Sequence, residues 1–170
     1  LEEECRRFGV PERILTSIPN GVDVEDFAWR EPVPPREFLG WRGEPRTVLI
    51  TVGRLVTKKG VDRFIRDIRP SVAAAAPDVL YVVVGGGPRL GEVERLVAEK
   101  GLKDRVLVAG DVPMADRRLP AFYNAADSFV MPTVLIPGDI EGCGSVALEG
   151  GATAAAAVEV ITGLMEQHGQ

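Results

Sequence analysis

The run VLYVVVG, Val79 to Gly85, has no polar face. A strand with one side in water alternates apolar and polar residues, whereas a strand covered on both sides reads apolar throughout. The run therefore predicts a central strand with helices packed above and below it. It has companions: RTVLITVG (Arg46–Gly53), RVLVAG (Arg105–Gly110) and DSFVMP (Asp127–Pro132) are of the same kind, and RILTSI (Arg13–Ile18) reads as a further strand ending at Pro19. Between them the apolar spacing turns helical. Val61, Phe64, Ile65, Ile68 and Val72 share one face of a helix over 61–76, which Pro70 should kink or split. Leu90–Lys100 reads as a helix with Gly101 placed to cap it, and 117–124 as another. Strands and helices alternating at this spacing predict an α/β fold, a doubly wound parallel sheet of Rossmann-like type.

In such a sheet ligands bind beyond the carboxyl ends of the strands. The loops at 53–60, 85–88, 110–112 and 133–145 all follow strands, and their residues carry chemistry. In EGCGSVALE, Glu141 and Glu149 flank a glycine-punctuated turn and a short apolar run. A helix opening near Gly144 would present unpaired backbone N–H groups and about half a positive charge, a natural phosphate site. Glu149 would then lie ~7.5 Å along the axis, with Glu141 in the loop on the other side of that point. The geometry suits a nucleotide-sugar, with diphosphate between two groups of hydroxyls. An amphipathic helix with solvated carboxylates is the other reading of this stretch.

In GRLVTKKG, Gly53 to Gly60, Arg54 and Lys59 flank a short loop directly after a strand. Fixed cations there would stabilise a departing diphosphate without a metal. A solvated basic loop is the alternative, and Lys58 reads as a bystander. The triplet at Gly85–Gly87 marks a tight turn that could also admit a base or phosphate close to backbone. In GDV, Gly110–Val112, backbone groups at a strand end could read a nucleobase edge.

Bulk properties exclude other classes. A chain of 170 residues accommodates one domain with a proper core. The net charge of −5 gives no electrostatic reason to expect nucleic-acid binding. Cys5 and Cys143 are far apart with no ligand-like spacing, so neither a disulfide framework nor a zinc site is suggested. No apolar run reaches the ~18 residues of a membrane span. The lone histidine, His168, sits in the polar tail EQHGQ and reads as solvated. A cytoplasmic, reducing compartment is expected. The opening at Leu1, in what reads as mid-helix, suggests a fragment of a longer chain.

Taken in order, IPNGVD, GRLVTKKG, VVGGGP, AGDVP, LPAFYNAADSFVMP and the two-glutamate motif resemble the carboxy-terminal, donor-binding half of family-4 retaining glycosyltransferases, from about Leu1 to Gly150. The resemblance implies one half of a GT-B fold. It implies that Arg54 and Lys59 bind the donor diphosphate, that Glu141 holds the transferred sugar and that Glu149 holds the ribose hydroxyls. Backbone around Gly144, Ser145 and Val146 would complete the phosphate site, Gly53 and Gly86 would line it, and Val112 would lie beside the base. The donor phosphate would assist acceptor deprotonation, so no metal or separate cofactor is implied beyond the UDP- or GDP-sugar co-substrate.

The resemblance divides the chain into residues 1–27 (the end of an inter-domain region and a first strand), a Pro-rich loop at 28–45, the donor-binding domain at 46–150 and a shortened or incomplete segment at 151–170. The expected partners are a nucleotide-sugar donor and an amino-terminal acceptor domain of the same protein. The apolar loop TVLIPGDIEG hints at peripheral membrane association of the full enzyme. The fragment alone should bind nucleotide and turn over nothing. Cys143, Ser145 and Gly150 depart from the family's aromatic, aliphatic and alanine, which would loosen packing under the phosphate loop. The functional reading is hexose transfer from a UDP- or GDP-sugar to a lipid, glycan or small-molecule acceptor. A non-catalytic nucleotide-sugar-binding module and a nucleotide-sugar epimerase of the same fold are the alternatives.

Overall fold

A computed structural model of the chain describes residues 2–16, 18–28, 47–68, 78–113, 118–134, 136, 145–152 and 157–159. Among the described residues, five parallel strands make one sheet: β1 (Thr47–Val52), β2 (Val79–Val84), β3 (Val106–Gly110), β4 (Ser128–Val130) and β5 (Ala157–Glu159). Their order is β3-β2-β1-β4-β5. The chain thus builds outward from β1 to β3, then crosses back to lay β4 on the other side of β1. That reversal is the topological switch point at which doubly wound sheets open a crevice.

β2 is the central strand that its sequence predicts. All six of its residues are buried, and it pairs with β1 in unbroken register from Thr47↔Val79 to Val52↔Val84. Alternate residues go to opposite faces. Val48, Ile50, Val52, Leu80, Val82, Val84 and Phe129 form one core with α2 (Val24–Phe27), α5 (Arg118–Asn124) and α6 (Ser145–Ala152). Tyr81, Val83, Val106 and Val130 form the other with the helical segment α3 (Val61–Arg63 continuing over Phe64–Ile68) and with α4 (Leu90–Glu99). The sheet is therefore covered on both sides, as the unbroken apolar run requires.

The helices follow from their spacing. α4 buries Val93, Leu96 and Val97, an i, i+3, i+4 stripe. It closes as predicted at Gly101: the Gly101 N–H donates to the Ala98 carbonyl and the Leu102 N–H to the Val97 carbonyl, the paired bonds of a left-handed glycine stop. α3 begins as Val61–Arg63 and continues in wider, π-type turns over Phe64–Ile68, burying Val61, Phe64 and Ile65 as expected. Pro70 and Val72 lie outside the described residues, as do the Pro-rich loop (from residue 29) and His168.

The strand predicted over Arg13–Ile18 does not form. A short helix α1 (Glu2–Arg7) is followed by a single 3₁₀ turn at Glu12–Ile14, and Ile14 and Ile18 are exposed. Apolar and β-branched residues favour a strand only where a neighbouring strand pairs with them, and no described strand does. Within 151–170, Ala157–Glu159 forms β5, which pairs parallel with β4 from Ser128↔Ala157 to Val130↔Glu159.

Candidate nucleotide site at the carboxyl edge of the sheet

A cleft of about 680 Å³ opens where β1 and β2 end. Its wall combines Gly53 and Arg54 after β1, Gly85–Gly87 after β2, Asp111 and Val112 after β3, Leu119 of α5, and Val146 and Glu149 of α6. Residues as far apart in sequence as Val52 and Glu149 meet in one space because the strand-end loops and the helices α5 and α6 gather at the same edge of the sheet. Of the predicted site residues the fold thus brings together Gly53, Arg54, Gly86, Val112, Val146 and Glu149. Lys59 sits in a 3₁₀ turn, Thr57–Lys59, beside this wall: a β-carbon on Gly53 would lie 3.9 Å from Lys59 Cε. Ser145 opens α6. Glu141 and Gly144 lie outside the described residues.

The glycine triplet has a structural task that its sequence does not reveal. A β-carbon on Gly85 would stand 1.9 Å from the Gly53 carbonyl oxygen, and one on Gly87 would stand 2.7 Å from that of Leu55. Two strand-end loops therefore meet backbone to backbone. The Leu55 N–H donates to Gly86 O at 2.8 Å and the Arg89 N–H to Leu55 O at 3.2 Å. The triplet's first use is to dock the loop carrying Arg54 onto the loop after β2. The Gly110 carbonyl, considered as a base reader, already accepts the Gly85 N–H at 2.7 Å. Beside it, the β2–β3 register shifts at Val84↔Gly110, an irregularity that turns the chain toward the cleft at Asp111.

A salt-bridged clamp reinforces the same pair of loops. Arg89 donates to Thr57 Oγ1 at 2.9 Å, to Asp62 Oδ2 at 3.0 Å and to Glu92 Oε1 at 2.7 Å. Asp62 is buried, so its charge needs this cation. A further tie joins Lys58, read from sequence as a bystander, to the chain after β4: Val134 N–H donates to Lys58 O at 2.8 Å.

Glu149 is the most unusual side chain of the site. It is 1% exposed, yet it forms part of the cleft wall. The reading of a solvated surface carboxylate is overturned. The Tyr123 hydroxyl of α5 donates to Glu149 Oε2 at 2.8 Å. Burial, then the neighbouring Glu149 charge and the bond to it, push the Tyr123 hydroxyl far above its usual range. Tyr123 therefore remains a proton donor at neutral pH. Asp111, Leu119, Leu90 and Tyr123 are cleft or supporting residues to whose side chains the sequence assigned no site role, although Asp111, Leu119 and Tyr123 lie within quoted motifs. Tyr123 and Leu119 belong to the LPAFYNAADSFVMP motif, but nothing in the sequence separates them from the apolar positions of a helix.

Packing beneath α6 is close where the departure at Gly150 suggested looseness. A β-carbon there would meet the Phe129 ring at 3.2 Å. Glycine lets α6 approach β4, and the alanine expected from the resemblance would have to push that ring aside.

The fold is a doubly wound, Rossmann-like α/β domain whose structural relatives are GT-B glycosyltransferases. Residues 46–170 match the family described as "Glycosyl transferases group 1", and the chain belongs to that family. It is 36% identical over 163 residues to the GDP-mannose-dependent alpha-(1-6)-phosphatidylinositol monomannoside mannosyltransferase of Mycolicibacterium smegmatis, covering 92% of this chain and 40% of that protein. The chain thus spans about two fifths of the length of this relative. Among solved structures it is similar to the C-terminal domain of a glycosyl transferase group 1 family protein from Francisella tularensis, with TM-score 0.61, 27% identity and coverage of 82% of this chain and 70% of that one. It also shares its fold with HepE of Anabaena, solved in complex with UDP and glucose, with TM-score 0.66, 21% identity and coverage of 90% and 40%.

Proposed function

We propose that this chain is the carboxy-terminal donor-binding half of a retaining, family-4 glycosyltransferase that moves a hexose from a UDP- or GDP-sugar to a lipid, glycan or small-molecule acceptor. The observation that carries the reading is the cleft at the sheet's carboxyl edge, where Arg54 and the buried Glu149 face one space with Lys59 alongside. Arg54 and Lys59 bind the diphosphate and stabilise the charge that develops on it as the sugar–phosphate bond breaks. The start of α6 at Ser145 and Val146 adds backbone N–H groups to the phosphate site. Glu149 accepts from the ribose hydroxyls, Val112 packs beside the base, and Glu141 and the Gly144 turn complete the sugar side. No metal enters this scheme, since the two cations supply the charge.

The acceptor site and a catalytic histidine belong to an amino-terminal domain, so the chain alone binds donor without turnover. The 36% identity to a GDP-mannose-dependent enzyme acting on a phosphatidylinositol monomannoside favours a GDP-sugar and a lipid-linked acceptor. Such an enzyme would work from the cytoplasm at a membrane surface. Among the described residues no helix is long and apolar enough to cross a membrane. A thermal-shift panel of UDP-, GDP- and ADP-sugars tests the reading. The cognate donor at ~100 times its dissociation constant adds about 2.7 kcal/mol of stability. A flat response to every nucleotide-sugar in the panel would remove the proposal.

A further inference from the structure

The Tyr123–Glu149 pair extends the site beyond the residues that its motifs mark. A carboxylate 1% exposed has lost nearly all its water and needs a donor. Among the described residues that donor is Tyr123, bonded to Oε2 at 2.8 Å. The Val146 carbonyl, 3.5 Å from the same hydroxyl, is too distant to compete for its single proton. The tyrosine ring is itself fixed. It packs edge-on against Phe27, with centroids 5.7 Å apart and planes at 75°, and against Phe129 at 5.8 Å. An aromatic cluster on one face of the sheet thus sets where the hydroxyl stands, and the hydroxyl takes one of the two carboxylate oxygens.

We propose that Tyr123 is a positioning residue for nucleotide selection: its hydroxyl holds Glu149 by Oε2 so that the other oxygen meets the ribose hydroxyls, and the pair selects ribonucleotides over deoxyribonucleotides. The inference rests on the reading of Glu149 as the ribose ligand. A carboxylate pinned in one rotamer binds a hydroxyl pair without first losing rotamer freedom, whereas an unpinned one does not. Removing the Tyr123 hydroxyl therefore weakens only the ligands that carry ribose hydroxyls. A tyrosine that merely supported the helices would, when altered, weaken all nucleotides alike.

The test is calorimetric titration of the full-length protein and its Tyr123→Phe variant with GDP and UDP and with their 2′,3′-dideoxy counterparts. Phenylalanine keeps the ring contacts, and a thermal melt checks that the variant is folded. The wild type should favour the ribo form of its nucleotide by roughly tenfold or more, the scale of a hydrogen bond to a charged group. Tyr123→Phe should lose most of that preference while its dideoxynucleotide affinity stays within about twofold of wild type. In a cycle with Glu149→Gln, the double variant should be no less selective than Glu149→Gln alone. A parallel fall of both affinities at constant ratio, or additive losses in the cycle, overturns the role of Tyr123 and leaves the donor site standing. A wild type that binds nucleotide without ribose preference overturns the Glu149 assignment and this proposal with it. Absence of nucleotide binding altogether overturns the donor-site reading itself.

Discussion

Gly60 and Gly101 provide a matched pair for measuring how much the loop after β1 depends on close backbone packing. Both are left-handed, with φ of 63° and 62°. An alanine at either pays the same backbone cost, roughly 1–2 kcal/mol, less about 0.4–1 kcal/mol for the stiffer unfolded chain. Gly101 has open space around its would-be β-carbon, so Gly101→Ala should lose about 1 kcal/mol. Gly60 does not. Its β-carbon would fall 1.9 Å from the Pro132 carbonyl oxygen and 2.8 Å from Val134 Cγ2. The obstacle is backbone, so the β4 exit must retreat by about an ångström, an overpacking cost of about 1–3 kcal/mol. The bond from Val134 N–H to Lys58 O is strained in the same movement, adding about 0.5–1.5 kcal/mol. Gly60→Ala should therefore lose about 3–5 kcal/mol, some 2–4 kcal/mol more than Gly101→Ala. Urea unfolding at equilibrium, with a common m-value, reads both losses. Equal losses within about 0.5 kcal/mol would refute the claim that the Lys59 loop is wedged against the β4 exit.

Three further outcomes follow from the same contacts. Arg54→Ala and Lys59→Ala in the full-length enzyme should each lower turnover on the order of 10²–10³-fold, read by initial-rate kinetics with the cognate donor, and a variant at wild-type rate would place that side chain outside the diphosphate site. Asp62→Ala removes the buried anion of the Arg89 clamp and should cost about 1–3 kcal/mol by urea midpoint, discounted because Arg89 is partly solvated, while Asp62→Asn costs less; equal effects would show that charge is immaterial there. Burial holds both Tyr81 and Tyr123 protonated well above the usual tyrosine range. The unfolded chain releases those protons above pH ~10 and the folded chain does not, so stability is unaffected below pH ~10 and falls as pH rises beyond it. Urea midpoints between pH 8 and 11 should show that fall, and it should be shallower in Tyr123→Phe.

What the sequence revealed, and what it concealed, divides along the range of the interactions. β1 to β4 and α4 were legible because each is a local pattern: an unbroken apolar run, a 3.6-residue stripe, a glycine stop at Gly101. Arg13–Ile18 has the same local look, but a strand needs a partner and its apolar residues find none among the described residues; the chain takes a 3₁₀ turn and leaves Ile14 and Ile18 in water. At the site, Arg54 was visible as a charge at a strand end and Glu149 as a charge just inside a helix, and the sheet order brings them to one cleft. Tyr123 was hidden because its bond to Glu149 spans 26 positions between two helices, and the Arg89–Asp62 pair spans 27. The glycine triplet was visible but its partner was not: only the folded sheet shows that Gly85 faces Gly53 and Gly87 faces Leu55.

The central claim is that a nucleotide-sugar's diphosphate sits between the β1 exit and the start of α6. A crystal structure of the full-length protein with GDP or UDP tests it most directly. The account predicts phosphate oxygens within hydrogen-bond reach of Arg54 and Lys59, ribose hydroxyls on Glu149 and the base beside Val112. A nucleotide bound elsewhere on the protein, with this cleft holding only water, would contradict it.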